Sequence, residues 1–277
     1  MKIIFDSISA ACSKKITQSY STSFTLGIQF LDGKLHKPIY NIYGLVRCAD
    51  EIVDSFHQFD KKYLLNKYKA DALEAIEQRI SLNPILNSFQ ETANRYNIGL
   101  DLINIFFESM EMDIEKKEYN KEAFDKYILG SAEVVGLMCL KVFTEGDIIK
   151  YEKLKPYAMK LGSAFQKVNF LRDIGNDIND LGRFYFPKSD GNFTSTEKNN
   201  IEMEIEAEFK IALEGIRMLP LGARRGVYLA YSYYINLFRK IKKYSAEKVL
   251  LERVRLPASK KLSLMFNCIL KEKLNFI

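Results

Sequence analysis

No tryptophan occurs in the 277 residues, and only two histidines, His36 and His57. Both sit in polar surroundings with no second histidine beside them, so a histidine metal pair is excluded and both are expected at the surface. Four cysteines, Cys12, Cys48, Cys139 and Cys268, are scattered with no CxxC spacing. Reduced thiols in a cytosolic protein are the expectation. Proline (6) and glycine (14) are sparse, which argues against a disordered chain. No stretch approaches the ~18 uninterrupted apolar residues of a membrane span, and residues 132–143, "AEVVGLMCLKVF", fall short of it. The opening "MKIIFDSISAACSKK" carries an acid at position 6 and has no long apolar core, so no signal peptide is expected. The charged C-terminal "FNCILKEKLNFI" is not expected to be a membrane anchor. There is no arginine-rich arm, and nucleic acid is not an expected partner.

What is present is helical periodicity. Hydrophobic residues make up 47% of the chain. Apolar positions recur at three and four spacing in "KKYLLNKYKADALEAIEQRI", "LDLINIFFESMEMDI", "EAFDKYILGSAEVVGLMCLKVF", "YEKLKPYAMKLGSAFQKVNFLRDI", "IEMEIEAEFKIALEGIRM" and "GVYLAYSYYINLFRKIKKY". "NPILNSFQETANRY" opens with Asn83 as a cap and Pro84 at the first helical position. "KIIF" is the one strand candidate. Breaks are expected at 30–38, 81–84 and 181–196, none with linker composition. The expectation is one all-α domain over residues 1–277, with eight to ten helices. The net charge of +6 suits an anionic ligand or an anionic membrane surface.

Two helices carry acidic ladders. In "YGLVRCADEIVDSF" (43–56), Asp50 and Asp54 are four apart; in "DIGNDIND" (173–180), so are Asp173 and Asp177. Like charges at that spacing disfavour a helix by a few tenths of a kcal/mol. At ~100° per residue, Tyr43, Arg47, Asp50 and Asp54 fall within about 60° of one another, and Gln166, Asn169, Asp173, Asp177 and Asp180 within about 80°. A solvated amphipathic face would explain either ladder alone. However, exposed faces elsewhere in this chain are rich in Lys and Glu, whereas these use short Asp, amides, Arg and Tyr on otherwise apolar helices. They are therefore expected to face an internal cavity, where unpaired carboxylates are too costly to keep without a partner. Mg²⁺ bridging to an anionic substrate would be such a partner, because it takes one or two carboxylates plus phosphate oxygens. Two or three ions around a diphosphate would neutralise a leaving group, which implies ionisation of an allylic diphosphate.

"YGLVRCADEIVD" and "FQKVNFLRDIGNDINDLGRFYFP" resemble the two signature regions of the squalene/phytoene synthase family. "SYSTSF" (19–24) resembles its N-terminal serine–phenylalanine segment, and "YILGSAEVVG" (127–136) its mid-chain tyrosine-to-glycine segment. The anchors come in the family's order over about residues 10–260, and the chain is most similar to the bacterial members that make phytoene. The resemblance implies an isoprenoid-synthase-type helical bundle with a central cavity. It also implies head-to-head joining of two prenyl diphosphates through a cyclopropyl diphosphate. For phytoene the substrates would be two geranylgeranyl diphosphates, with proton loss ending the reaction and no NADPH.

Carried over by position, Asp50, Asp54, Asn169, Asp173 and Asp177 would hold Mg²⁺, with Mn²⁺ as a substitute. Arg47 and Arg172 would contact diphosphate, as guanidinium forks do well. Tyr20, Ser21, Thr22 and Ser23 would supply further phosphate contacts, and Tyr43, Gln166 and Tyr244 would orient the substrate head. Tyr127, Arg183 and Tyr185 complete the implied set. Two departures are Asn176, where the family often has an acid, and Tyr20, where it often has His. Arg253 and Lys261 fall in a region that does not align clearly. A squalene or dehydrosqualene synthase using farnesyl diphosphate is the alternative, and a non-catalytic helical assembly protein is the second. The absence of a Gly-rich dinucleotide loop does not decide between reductive and non-reductive products. A hydrocarbon product implies peripheral contact with the cytoplasmic membrane; oligomeric state is not legible. Asp50→Asn or Asp173→Asn is expected to abolish turnover while leaving the far-ultraviolet circular dichroism unchanged; full activity in both would refute the metal assignment.

Overall fold

The computed structural model describes residues 1–115, 118–187 and 193–273, with side chains to residue 268. Among these residues it is all-α: thirteen α-helices and one five-residue π-helical turn. This exceeds the eight to ten expected, because several are short. The ladder-bearing helices are α3 (Gly33–Ser55) and α9 (Ile148–Leu181). Around α3 lie α1 (Lys2–Tyr20), α4 (Lys61–Gln78), α5 (Pro84–Tyr96) and α6 (Leu100–Glu115). Around α9 lie α10 (Ser195–Met218), α11 (Leu221–Ile241) and α12 (Ala246–Leu251). The short α2 (Thr22–Gln29) packs on α11, and α7 (Lys121–Ile128) runs through the π turn at Leu129–Glu133 into α8 (Val134–Phe143). The C-terminal α13 (Ala258–Lys273) also packs on α11.

"KIIF" is the start of α1 and not a strand. The reason is tertiary. The buried face of α1 is Ser9, Ser13 and Thr17, and these small residues let it lie close on α3 and α5. Ser13 hydrogen-bonds Ser88, and Asn87 donates to Ser9 and Asp6. A Cβ on Gly44 would meet the Ser13 hydroxyl at 2.7 Å, so glycine is what permits that approach. The expected break at 30–38 narrows to a turn, since α3 begins at Gly33 and takes Pro38 into its second turn. Pro156 sits likewise inside α9. Each proline leaves the carbonyl four residues back without its helical donor. Asn83 caps α5 as expected, accepting from the Ile85 and Leu86 amides. Within the 181–196 break, residues 188–192 lie outside the described residues, as does the end of the charged C-terminal stretch.

Two glycines position the site. Gly182 ends α9 in the left-handed conformation (φ +64°), turning the chain so that Arg183 doubles back toward α3. Gly175, between the two aspartates of α9, lies under the Leu250 carbonyl, where a Cβ would come within 2.2 Å. That approach brings the chain after α12 over the ladder. Gly175→Ala gains helix propensity of about 1 kcal/mol but overpacks a backbone contact, a cost of typically 1–3 kcal/mol. The melting temperature is expected to fall by a few degrees; an unchanged or higher value would show that the contact is not tight.

Candidate functional site

Asp50, Asp54 and Asp173 of the two ladders open into one cavity of about 650 Å³, while Asp177, one turn beyond Asp173, stands off its lining and within charge range of Asp173 and Asp54. Asp50 and Asp54 of α3 and Asn169 and Asp173 of α9 line it together with Tyr20, Ser21, Tyr43, Arg47, Gln166 and Arg172. Its deeper wall is apolar, built from residues such as Phe24, Ile39, Val135, Phe143, Leu154 and Leu161. A polar mouth and an apolar depth suit an amphipathic ligand with an anionic head.

Arg183 joins the ladders. Its backbone N–H donates to the Asp177 carbonyl at 2.9 Å, and its guanidinium donates to Asp54 Oδ1 at 2.7 Å and to the Val53 carbonyl at 3.1 Å. The same guanidinium lies 3.7 Å from Asp113, which is buried. Asp113 in turn accepts hydroxyl hydrogen bonds from Tyr127 (2.6 Å), Tyr185 (3.0 Å) and Tyr119 (3.2 Å). A buried carboxylate needs such partners. Tyr127, expected to be catalytic, and Arg183 and Tyr185, expected to touch substrate, stand off the cavity lining, where they hold Asp54 and Asp113. Asp113 escaped the sequence reading, although it falls in helical register with the buried Phe106 and Met110.

On α9, Asp173 receives two guanidinium groups: Arg172 Nε at 2.9 Å and Arg253 Nε at 2.7 Å. Arg253 also lines the cavity. Tyr234 on α11 lines it too, donating to Asn169 Oδ1 at 3.2 Å and stacking on Phe165 with centroids 4.0 Å apart. Tyr234 thus occupies the place expected of Tyr244. Tyr244 lies beyond α11, outside the cavity lining, beneath Lys248 (Nζ 4.5 Å from the ring centroid). Both tyrosines stand in an aromatic-rich stretch that offers no spacing to choose between them. Asp180 is exposed. Ser21 lines the cavity and caps α2 through the Phe24 amide, but Thr22 and Ser23 are off the lining. Thr22 accepts from Lys261 Nζ at 3.2 Å. Arg47 stacks on Tyr20 (4.2 Å) and pairs with Glu51, and its buried Nε has no protein partner.

The carboxylates are electrostatically strained. Burial, then the neighbouring Asp54 charge, pushes Asp50 up to about 8. Burial, then Asp173 and Asp54, pushes Asp177 up to about 7. Burial raises Asp113 to about 6 against the opposing pull of Arg183 and the tyrosines. Burial and the Asp50 charge lift Tyr43 to about 12, so it remains a hydroxyl donor at neutral pH. Among the described residues, no three carboxylate, imidazole or thiolate groups lie close enough to cage an ion unaided. The donor set instead fits cations that keep several waters and bridge to a ligand, as Mg²⁺ does. Asp50, Asp54, Asn169, Asp173 and Asp177 are the residues that could hold them.

These shifts fix the sign of a pH effect. Asp50, Asp177 and Asp113 keep protons in the folded chain up to about 8, 7 and 6, whereas the unfolded chain releases them near 3.8. The folded state binds the extra protons, so their stabilising effect is complete below about pH 4 and is lost as pH rises through 6 to 8. Asp50 keeps 32% of its side-chain surface open, so solvent screening trims its share. The melting temperature of the metal-free protein is expected to fall between pH 5 and 8.5, measured by calorimetry; a rise over that range would contradict the clustering.

Residues 17–193 match the family model described as squalene/phytoene synthase. The chain is 26% identical over 277 residues to a phytoene synthase of Arthrospira platensis, covering 90% of this chain and 88% of that protein. It is 30% identical over 183 residues to a 4,4'-diapophytoene synthase of Staphylococcus haemolyticus, covering 63% of this chain and 61% of that one. In three dimensions it is similar to a crystallised dehydrosqualene synthase, with TM-score 0.83 at 20% identity over 97% of this chain and 98% of that one. It is also similar to the squalene synthase HpnC from Alicyclobacillus acidocaldarius, with TM-score 0.75 at 20% identity over 85% and 93%. The fold is thus of the isoprenoid-synthase type. The chain belongs to the squalene/phytoene synthase family, prenyltransferases that condense prenyl diphosphates head to head.

Proposed function

We propose that this protein joins two geranylgeranyl diphosphates through a cyclopropyl diphosphate to phytoene, in carotenoid biosynthesis, with Mg²⁺ and without NADPH. The observation that carries this reading is the single cavity with acidic ladders from α3 and α9 at its mouth and an apolar wall behind them. The similarity to the Arthrospira phytoene synthase extends over nine tenths of the chain and supports the C20 substrate.

Mg²⁺, held by Asp50, Asp54, Asn169, Asp173 and Asp177, would supply the positive charge that stabilises a departing diphosphate. The chain's own residues do the rest. Arg47 offers a buried, unpartnered Nε–H to the diphosphate oxygens. Arg172 and Arg253 are already drawn to Asp173 and add donors at the α9 side. Tyr43, kept protonated, donates its hydroxyl toward the substrate head. Gln166, Asn169 and Tyr234 form a hydrogen-bonded chain along the cavity wall. The apolar wall excludes water, which would otherwise hydrolyse a carbocation. Cys139 on that wall has its thiol pushed up to about 12 by burial, so it carries no charge into the tail region. The released diphosphate is the base for the closing proton loss.

The farnesyl reading stays alive through the staphylococcal relative and the dehydrosqualene synthase structure. The hydrocarbon product calls for a lipid sink, so the protein is placed in the cytoplasm, peripheral to the inner face of the membrane. Among the described residues no helix is long and apolar enough to cross it. The test is incubation with geranylgeranyl or farnesyl diphosphate, each with and without NADPH, followed by product chromatography. Phytoene from the C20 substrate, unaffected by NADPH, is expected; a C30 product alone would transfer the assignment to the farnesyl reading. Mg²⁺ is expected to raise the melting temperature more at pH 8.5 than at pH 5, because the ladder is then deprotonated; an equal rise at both would contradict ligation by these carboxylates.

A further inference from the structure

The chain's positive charge is concentrated in one segment. Residues 239–261 hold nine Lys or Arg and two Glu, a net +7, while the whole chain carries +6. The rest of the protein is thus slightly acidic. Two of the nine, Arg253 and Lys261, turn toward the cavity mouth, reaching Asp173 and Thr22. Arg239, Lys242, Lys243, Lys248, Arg255 and Lys260 are exposed.

The segment folds onto one edge of the molecule. It comprises the end of α11, all of α12 and the start of α13. Lys240 Nζ donates to the Arg255 carbonyl at 2.7 Å, tying the end of α11 to the loop before α13. Arg253, two residues from that carbonyl, touches Asp173, so the basic edge borders the cavity mouth. Among the described residues Lys243, Arg255 and Lys260 make no ion pair, and no acid there neutralises them.

Large apolar side chains stand between these cations. Leu251 is 83% exposed, Phe266 67% and Leu262 54%. Leu262 and Phe266 are four apart on α13 and share its outer side, while Leu264 and Cys268 bury the inner one. Interleaved cations and protruding apolar side chains match a lipid surface, which offers anionic headgroups above an acyl boundary. Nucleic acid would use the cations but leave Leu251, Leu262 and Phe266 in water.

We infer that the edge formed by residues 239–266 docks the protein on an anionic phospholipid bilayer, with Leu251, Leu262 and Phe266 entering the headgroup boundary. Docked this way, the cavity mouth lies beside the membrane surface, where an amphipathic prenyl diphosphate would be met without crossing water. The purpose rests on the proposed prenyl reaction, but the docking itself rests on the charge and exposure of this edge.

Co-sedimentation of the full chain with vesicles tests it, using phosphatidylcholine alone or mixed with phosphatidylglycerol. Binding is expected to the mixed vesicles, to weaken strongly as salt rises, and to be at least about tenfold weaker in the triple variant Lys243→Glu/Arg255→Glu/Lys260→Glu. Leu251→Ser/Phe266→Ser is expected to weaken binding while leaving its salt dependence in place. Turnover of detergent-dispersed substrate is expected to stay unchanged in both variants, which separates docking from catalysis. An inactive protein that still binds mixed vesicles would sink the prenyl reading and leave the docking intact. Equal binding to neutral and mixed vesicles, wild-type binding by the triple variant, or tighter binding to duplex DNA than to mixed vesicles would overturn the inference.

Discussion

One guanidinium holds the site together. Arg183 reaches from the end of α9 to Asp54 on α3, while its own backbone is bonded to Asp177. Without that tie, α8, which packs on both α3 and α9, would still space the two acidic helices, but no cation would bridge them at the mouth. Repulsion among Asp50, Asp54, Asp173 and Asp177 would then favour parting the helices. Asp113 and its three tyrosines sit behind the guanidinium and keep it charged and fixed. Arg183 and Asp113 are both buried, and removing the guanidinium from that pair is expected to cost about 3–5 kcal/mol, whereas the half-open Asp54 contact contributes less.

The remaining strain is what equips the site. The tie satisfies Asp54, while burial and then the neighbouring carboxylates drive Asp50 and Asp177 toward the protonated form, Arg47 only partly offsetting this at Asp50. Cations entering the mouth would relieve that strain, and an anion could follow them. Arg47, with its free Nε, and the Arg172–Arg253 pair around Asp173 stand on either side. The apolar wall deeper in the cavity gives the tails of such a ligand somewhere to go. Charge at the mouth and its absence below divide binding from water exclusion.

Much of this was legible in the sequence because the helical period projects residues four apart to one side. The ladders at 50/54 and 173/177, Arg47, Tyr43, Gln166 and Asn169 all follow from that arithmetic. Less legible were the features made by distant chain segments. Asp113 meets Tyr185 across 72 positions, and no local pattern announces the contact. Helix α1 reads poorly because its buried side is serine and threonine, chosen for close approach and not for apolarity. Tyr234 and Tyr244 differ only in which side of α11 and its following turn they occupy. The short α12 matters through a single carbonyl over Gly175, a backbone contact that side-chain patterns do not encode.

The central claim is that the two ladders act on one shared ligand. Calorimetric titration with inorganic diphosphate tests it most directly, comparing the wild type with Asp54→Asn, Asp177→Asn and the double variant. The account predicts binding that requires Mg²⁺, a large loss from either single change, and a double variant scarcely worse than either one. Binding that is indifferent to Mg²⁺, or losses from the two ladders that simply add, would contradict it.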